Sequence, residues 1–262
     1  LFFEYIRVLK DKQPLFFLAE NVSGILANKH SEALNNIITQ FKDAGYNVEI
    51  KLLNAREYNT PQDRKRIFFI GYRNDTNLIF NFPPPKEHIP TLKEAIWDLR
   101  DSALPAKKYN YTNGDDCKIT NHEYMIGCFS TIYMSRNRVR SWDEVSFTIQ
   151  AGGRHAPIHP QAPKMTFIKQ NEREFVKGNE HLYRRLSVRE CARIQTFPDD
   201  FIFLYNNLAS AYKMIGNAVP VNLSLELAKV IHSDITKYLE ENNLEICDQS
   251  MDLKQPKLAL AR

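Results

Sequence analysis

No stretch of these 262 residues is apolar enough for long enough to cross a bilayer, and the N-terminus lacks the basic, apolar and small-residue order of a secretory leader. The chain is therefore expected in a cytosol and away from membranes. Cysteine is scarce. Cys117, Cys128, Cys191 and Cys247 are far apart and form no C-x-x-C spacing, which argues against a disulfide framework or a zinc site. No cluster suggests any other metal. Charge of one sign is barely in excess, at +4, so composition alone does not establish a nucleic-acid partner, and the positions of the arginines matter more. There is no internal repeat. What remains is an ordinary globular composition, 43% hydrophobic and 11% aromatic over 30.5 kDa. That is enough for one large domain, or for one domain with a second inserted in it.

The first ninety residues alternate in period. Leu1, Phe2, Tyr5, Ile6 and Leu9 mark one face of an opening helix, and Lys12-Gln13-Pro14 breaks it. Because the sequence opens inside that helix on Leu1, an upstream segment is expected to have been removed or to come from another chain. Leu15 to Ala19 is a continuous apolar run of the kind that parallel sheets bury on both faces. Ser31 stands where it would cap a helix carrying Ala33, Leu34, Ile37, Ile38 and Phe41, with Gly45 as its terminator. Val48, Ile50 and Leu52 alternate as a strand, and RIFFIGY at 66–72 makes another. This rhythm predicts an open α/β sheet with right-handed crossovers.

Phe82-Pro83-Pro84-Pro85 stops the rhythm, and T-L-K-E at 91–94 has the form of a capping box. Helical periodicity then gives way to turn chemistry, with Asn113-Gly114, Gly152-Gly153, Pro157, Pro160 and Pro163. The expected division is an α/β body over 1–100, an inserted small domain of short strands and loops over 101–183, and a return to the body over 184–262. A long helix is expected from Leu223 to about Leu239, and the polar tail after Glu245 is expected to be mobile.

Ligands of open α/β sheets sit at the carboxyl ends of the strands, where Glu20 and Asn21 fall. By itself a carboxylate there is more ordinarily a loop charge. In PQDRKR, Arg64 and Arg66 are two residues apart in an extended segment and are expected to project to one side, a pairing suited to a planar polar group or a phosphate. A surface basic cluster is the equal alternative. In SRNRVRSW, Arg136, Arg138 and Arg140 alternate, and Arg154 follows in QAGGRHAP. Arginine pairs bidentately with guanine, so a row on one side of a strand suits the major groove; the plainer alternative is a charged edge strand. In RRLSVRECARIQTFPDDF, Arg184, Arg185, Arg189 and Arg193 are in excess on the polar side, and Cys191 reads as a buried structural thiol rather than a nucleophile. Gly216-Asn217 before the last helix offers backbone donors, a weak signal alone.

Taken in order, FLAENV, PQDRKRIFFIGYR, RRLSVRECARIQTFPDDF and YKMIGNAVPVNL, with a variable segment between the second and third, resemble the later motifs of cytosine-C5 DNA methyltransferases. The insertion, with IYMSRNRVRSW and IQAGGR followed by HPQAP, is similar to that of HaeIII-type methylases, which implies GGCC as the target. The resemblance implies a Rossmann-like S-adenosylmethionine-dependent methyltransferase sheet, incomplete at its N-terminus, with a target-recognition insertion. It implies transfer of a methyl group to C5 of a flipped cytosine in double-stranded DNA, as the modification enzyme of a prokaryotic restriction-modification system. Glu20 is then implied to bind and protonate N3, Arg66 to donate to O2, and Arg64 to support the nucleophile and a nearby phosphate. Asn217 with the backbone of Ala218 and Val219 would close the S-adenosylmethionine pocket, and Asn21, Gln62, Arg189 and Glu190 would be structural members of the motifs. Arg136, Arg138, Arg140 and Arg154 would contact DNA.

The resemblance is to the C-terminal portion of such an enzyme. The family's glycine-rich cofactor turn and its Pro-Cys nucleophile pair occur nowhere in the 262 residues. A DNA-binding module without catalysis, or a subunit of a two-chain methyltransferase, is the alternative; a complete enzyme is expected to be a monomer. Asn59 and Thr196 stand where the family usually has glycine.

Overall fold

The computed structural model describes residues 2–244, so Leu1, Cys247 and the tail after Glu245 lie outside the described residues. The opening helix α1 (Phe2–Lys12) buries Ile6 and Leu9 and carries Glu4 in its first turn and Lys10 and Lys12 in its last, the order that the helix dipole favours. Strand β1 (Phe16–Val22) follows Pro14, and helix α2 (Ser31–Asp43) leads to β2 (Tyr46–Asn54) through Gly45, whose φ of +93° lies in the left-handed region that glycine tolerates. Ser31 does not cap α2. It is already helical, and His30 occupies the cap position without a side-chain hydrogen bond.

Strand β3 (Lys65–Arg73) departs from a simple parallel sheet. The order is β1-β3-β2, and β3 runs antiparallel to both neighbours. The helical crossover makes β1 and β2 parallel but leaves a one-strand gap between them. The short return over 55–64 lets β3 fold back beside β2 and fill that gap. The central strand is buried from Ile67 to Tyr72 and alternates with period two. Ile67 and Phe69 face α1 and α2, packing with Phe17 and Phe41, whose rings stack 4.4 Å apart. Phe68, Ile70 and Tyr72 face the other way. Gly71 has no alternative: a Cβ there would lie 2.2 Å from the Phe17 ring. Burial of β1 on both faces is not observed, because it is an edge strand among the described residues and Phe17 is its one buried residue.

Beyond β3 the chain is built from short pieces up to residue 174. Helix α3 (Leu92–Ile96) has the full capping box of Thr91 and Glu94. Strand β4 (Leu104–Pro105) pairs with β5 (Glu123–Tyr124), and β6 (Thr166–Lys169) with β7 (Glu172–Glu174). Helices α4 (Val188–Ile194) and α5 (Leu208–Asn217) do not go straight back to the sheet. Cys191, Ile194, Tyr212 and Ile215 share a core with Leu92, Met125, Ile149 and Ala156. It is α6 (Val221–Glu241) that returns, laying Leu223, Leu227 and Ile231 on Phe68 and Ile70 while Tyr72 donates a hydrogen bond to Asp234.

The arginine-rich third segment holds this second core together. Arg189, fully buried, donates to the carbonyls of Thr120, Pro198 and Phe201. Arg193 bridges Asp98 and Asp199. Glu190, also fully buried, closes a capping box with Ser187 and accepts two hydrogen bonds from Arg184.

Candidate active site at the mouth of the sheet

Strand register determines what stands at the mouth. Leu18 is opposite Ile70, Glu20 opposite Phe68 and Val22 opposite Arg66, so Phe16, Leu18 and Glu20 follow one another on the face toward α6. The apolar contacts end where the carboxylate begins. There Glu20 Oε1 lies 2.6 Å from Arg66 Nε. The approach is off the N–H axis, so this buried oxygen has a charged neighbour and no aligned hydrogen bond. A carboxylate and a guanidinium held side by side with free capacity suit a ligand that both accepts and donates in one plane. Asn21 is exposed, and its side chain accepts from the backbone N–H of Val22.

The twin fork expected of Arg64 and Arg66 does not form. Asn54 accepts from the Arg64 N–H, Ala55 donates to the Arg64 carbonyl, and the Arg64 side chain turns inward at 2% exposure. Its Nη1 donates to the Ile149 carbonyl and its Nη2 to the Gly216 carbonyl, both at 3.0 Å. Burial, and then the neighbouring charge of Arg66, pushes Arg64 down to about 10, with Glu20 opposing. Gln62 extends the same tie, accepting from the Ile149 N–H and donating to Gln195, which donates to the Ile215 carbonyl. The sheet, the loop at 148–151 and the α5–α6 turn are thereby one unit. Gly216 makes this possible, since a Cβ would sit 2.3 to 2.4 Å from the backbone of Gln150 and Ala151.

Two clefts flank the carboxylate. One, of about 500 Å³, lies between sheet and insertion and is lined by Ser23, Asn54, Lys65, Arg66 and Thr148. Lys65 was visible in the sequence as part of a basic run, whereas Thr148 carries no local signal. The other, of about 380 Å³, is apolar and lies between Phe16, Leu18 and Phe68 of the sheet and Val219, Leu227 and Ile231. Asn217 is exposed at the end of α5, and the turn of Ala218 and Val219 is held by Gln195, which donates to the Ala218 carbonyl.

The arginine row in the insertion is broken by the fold. The segment is not a strand, having one bridge, Val139 to Ile158. Arg138 is buried, donates to the carbonyls of Tyr133 and Ile132, and lies over the Tyr133 ring. Arg140 pairs with Glu144 at 3.0 Å and with Asp63 at 3.3 Å. Arg136 and Arg154 are exposed and have no side-chain partner among the described residues. The alternation therefore does not present three arginines to one side.

The family profile for C-5 cytosine-specific DNA methylases matches residues 1–233. The chain is 56% identical over 239 residues to the type II methyltransferase M.FnuDI of Fusobacterium nucleatum, covering 90% of this chain and 70% of that protein. It is 57% identical over 234 residues to the type II methyltransferase M.MthTI of Methanothermobacter thermautotrophicus, covering 89% and 71%. In fold it is similar to a prophage-encoded E. coli protein described as a DNA modification methyltransferase, with TM-score 0.63, 21% identity and coverage of 88% and 73%.

Proposed function

Since the chain belongs to the family of C-5 cytosine-specific DNA methylases, we propose that it carries the base-binding and DNA-reading machinery of a modification methyltransferase acting on GGCC. The methyl donor of the family is S-adenosylmethionine, which supplies an electrophilic methyl group when bound. The reading is carried by the Glu20–Arg66 pair at the carboxyl end of β1. Support for GGCC comes from the insertion's likeness to HaeIII-type methylases. No helix among the described residues is long and apolar enough to cross a membrane, in keeping with work on DNA in a prokaryotic cytoplasm.

A cytosine inside a duplex is inaccessible at C5, so the target base is extruded into the mouth of the sheet. There Glu20 binds N3 and supplies a proton to it, while Arg66 donates to O2, so negative charge developing across the ring meets donors already in place. Arg64 acts one step back: its bonds to Ile149 and Gly216 hold the recognition loop and the α5–α6 turn against the strand that carries Arg66. Arg136 and Arg154 are the readers of guanine, being the exposed arginines of the four.

The residues present fit one wall of a donor site. The apolar cleft against Val219 opens on the same face of β1 as Glu20, and the Asn217 amide is free of partners among the described residues. Asn217, Ala218 and Val219 would hold the donor there. No Pro-Cys pair and no glycine-rich turn occur in the 262 residues, so in this reading the nucleophile and the opposite wall come from an upstream segment or a separate chain.

The test is tritiated-methyl incorporation into GGCC duplexes, with the chain co-produced with a relative's N-terminal segment bearing the Pro-Cys pair. Glu20→Gln should keep DNA binding and lose at least about a hundredfold in single-turnover rate, typical of a positioned acid. A Glu20→Gln rate equal to the parent's would remove Glu20 from the chemistry.

A further inference from the structure

Apart from the sheet mouth, the insertion holds a second cleft, of about 580 Å³, at the far side of Arg154. Its walls include the Tyr109–Asn110 turn, the loop from Gly127 to Ser130 and the start of α5 at Ala209, and no carboxylate lines it. Two guanidinium groups reach it. Arg154 is exposed and unpaired among the described residues, while Arg185 is 3% exposed and has no acid beside it. Arg185 is instead surrounded by carbonyls, donating from Nη1 to Gly127 at 3.1 Å and Met125 at 3.4 Å, and from Nη2 to Cys128 at 3.1 Å. Its Nε is buried with no acceptor.

That arrangement orients the loop's donors. The peptide bonds are trans, so drawing the Gly127 and Cys128 carbonyls toward Arg185 turns the N–H groups of Cys128 and Phe129 away from it. Neither N–H has an acceptor among the described residues. Asn110, at φ +61°, fixes the loop by accepting from the Ile126 N–H at 2.8 Å. Backbone donors without partners, Arg185 held on three carbonyls and over the Phe129 ring at 4.1 Å with no acid to neutralise it, Arg154 at the rim, and no carboxylate in the lining together favour an anion. Its polar floor and its place beside a proposed reader suit a backbone phosphate better than a base.

We propose that this cleft holds one phosphodiester of the bound DNA and so sets the register of Arg154 on its base pair. The proposal rests on the DNA-binding reading above. Ala209, exposed in the first turn of α5 (Leu208–Asn217), gives the test without touching Arg154, Arg185 or Asn110. Ala209→Glu puts a carboxylate in the cleft at a helix position where a negative charge is favoured, so folding should be preserved. Ala209→Gln is its neutral counterpart, and Ala209→Lys reverses the sign.

Binding of the chain to a GGCC duplex would be measured by fluorescence anisotropy across a salt series. Ala209→Glu should raise Kd about tenfold and make the salt slope shallower by about 0.9, the contribution of one phosphate. Ala209→Gln should bind as the parent does, and Ala209→Lys more tightly. In a scan of neutral methylphosphonate linkages, one position should weaken the parent and leave Ala209→Glu unaffected. Equal losses in the Glu and Gln variants, or an unchanged slope in all three, would overturn the phosphate site while duplex binding by the parent leaves the DNA reading standing. Failure of the parent to bind duplex DNA at all would overturn that reading and this proposal with it.

Discussion

Thr196 shows what a single residue costs in the wrong conformation. It stands at φ +61°, and Asn59 at φ +51°, the two places where the resemblance implied glycine. Asn tolerates that region, but a β-branched residue there costs about 1–2 kcal/mol. Thr196 recovers part of the cost because its hydroxyl accepts from the Asn222 N–H at the start of α6. Removing that hydrogen bond costs about 0.5–1.5 kcal/mol, and glycine's backbone entropy about 0.5–1 kcal/mol. Thr196→Gly should thus come out close to neutral, with a urea midpoint near the parent's at unchanged m; a shift of more than about 1.5 kcal/mol in either direction would contradict this balance. The arginines of the insertion separate in the same way. Arg138→Ala would orphan the Tyr133 carbonyl and remove the guanidinium packed over the Tyr133 ring, while Ser135 still donates to the Ile132 carbonyl, so it should lower stability by about 1–3 kcal/mol. Arg136→Ala should leave the melting temperature alone and relax specificity at one base pair, at about 1–3 kcal/mol of discrimination. Methylation profiling on near-cognate sites, beside melting curves, distinguishes the two; uniform loss over all sites would deny Arg136 a reading role.

At the scale of elements, α4 is anchored by buried charge rather than by its short length. Burial opposes ionisation of Glu190, but the charge and hydrogen bonds of Arg184 outweigh it and hold the carboxyl at about 2. His159 lies 3.4 Å from Glu190 and against the edge of Trp142. Burial pushes this imidazole down to about 4, Glu190 opposing and Arg184 and His122 adding to the shift. Its Nδ1 accepts from the Gln161 N–H, which assigns the proton to Nε2. The sign follows from linkage. In the unfolded chain His159 takes up a proton near pH 6.5, but the folded chain resists until about 4, so stability falls as pH drops through that window. Glu190 adds a further loss between about 4.5 and 2 in the same direction. Urea midpoints at pH 7 and pH 5 should show the loss, and His159→Asn should flatten it. A stability that rose between pH 7 and pH 5 would contradict the assignment. Glu190→Gln should be severe, about 3–5 kcal/mol, because the Arg184 side chain, only 10% exposed, would be left charged without its carboxylate.

At the scale of the molecule, β1 is an edge strand among the described residues and the cleft of Phe16, Leu18, Phe68 and Ile231 is open. With no Pro-Cys pair present, residues 1–262 alone should incorporate no tritiated methyl at any donor concentration. An open apolar cleft beside an unpaired edge should also limit solubility. Co-production with the N-terminal segment of a relative should improve yield and restore incorporation into GGCC duplexes. Incorporation by the chain alone would place a nucleophile among its own residues.

Periodicity and breakers were sufficient to read part of the secondary structure: the alternation of RIFFIGY, the apolar face of α2 and the capping box at Thr91 appear where local chemistry puts them, whereas α5 had no such signal. A role for Glu20 came only from the resemblance, while its place at the carboxyl end of a strand was legible from the apolar run before it. The direction of β3 was not, since a strand's side-chain alternation is the same whichever way it runs, and the choice depended on how short the return from β2 is. Nor did alternation decide the arginines. Arg64, Arg66, Arg138 and Arg140 look alike in the sequence, but a guanidinium's role depends on which carbonyls and carboxylates lie within about 3 Å of it, and those come from Ile149, Gly216, Glu20, Tyr133 and Asp63, most of them distant in the chain. Local chemistry determined the elements, and long-range packing decided which charges are buried as struts and which are left facing outward.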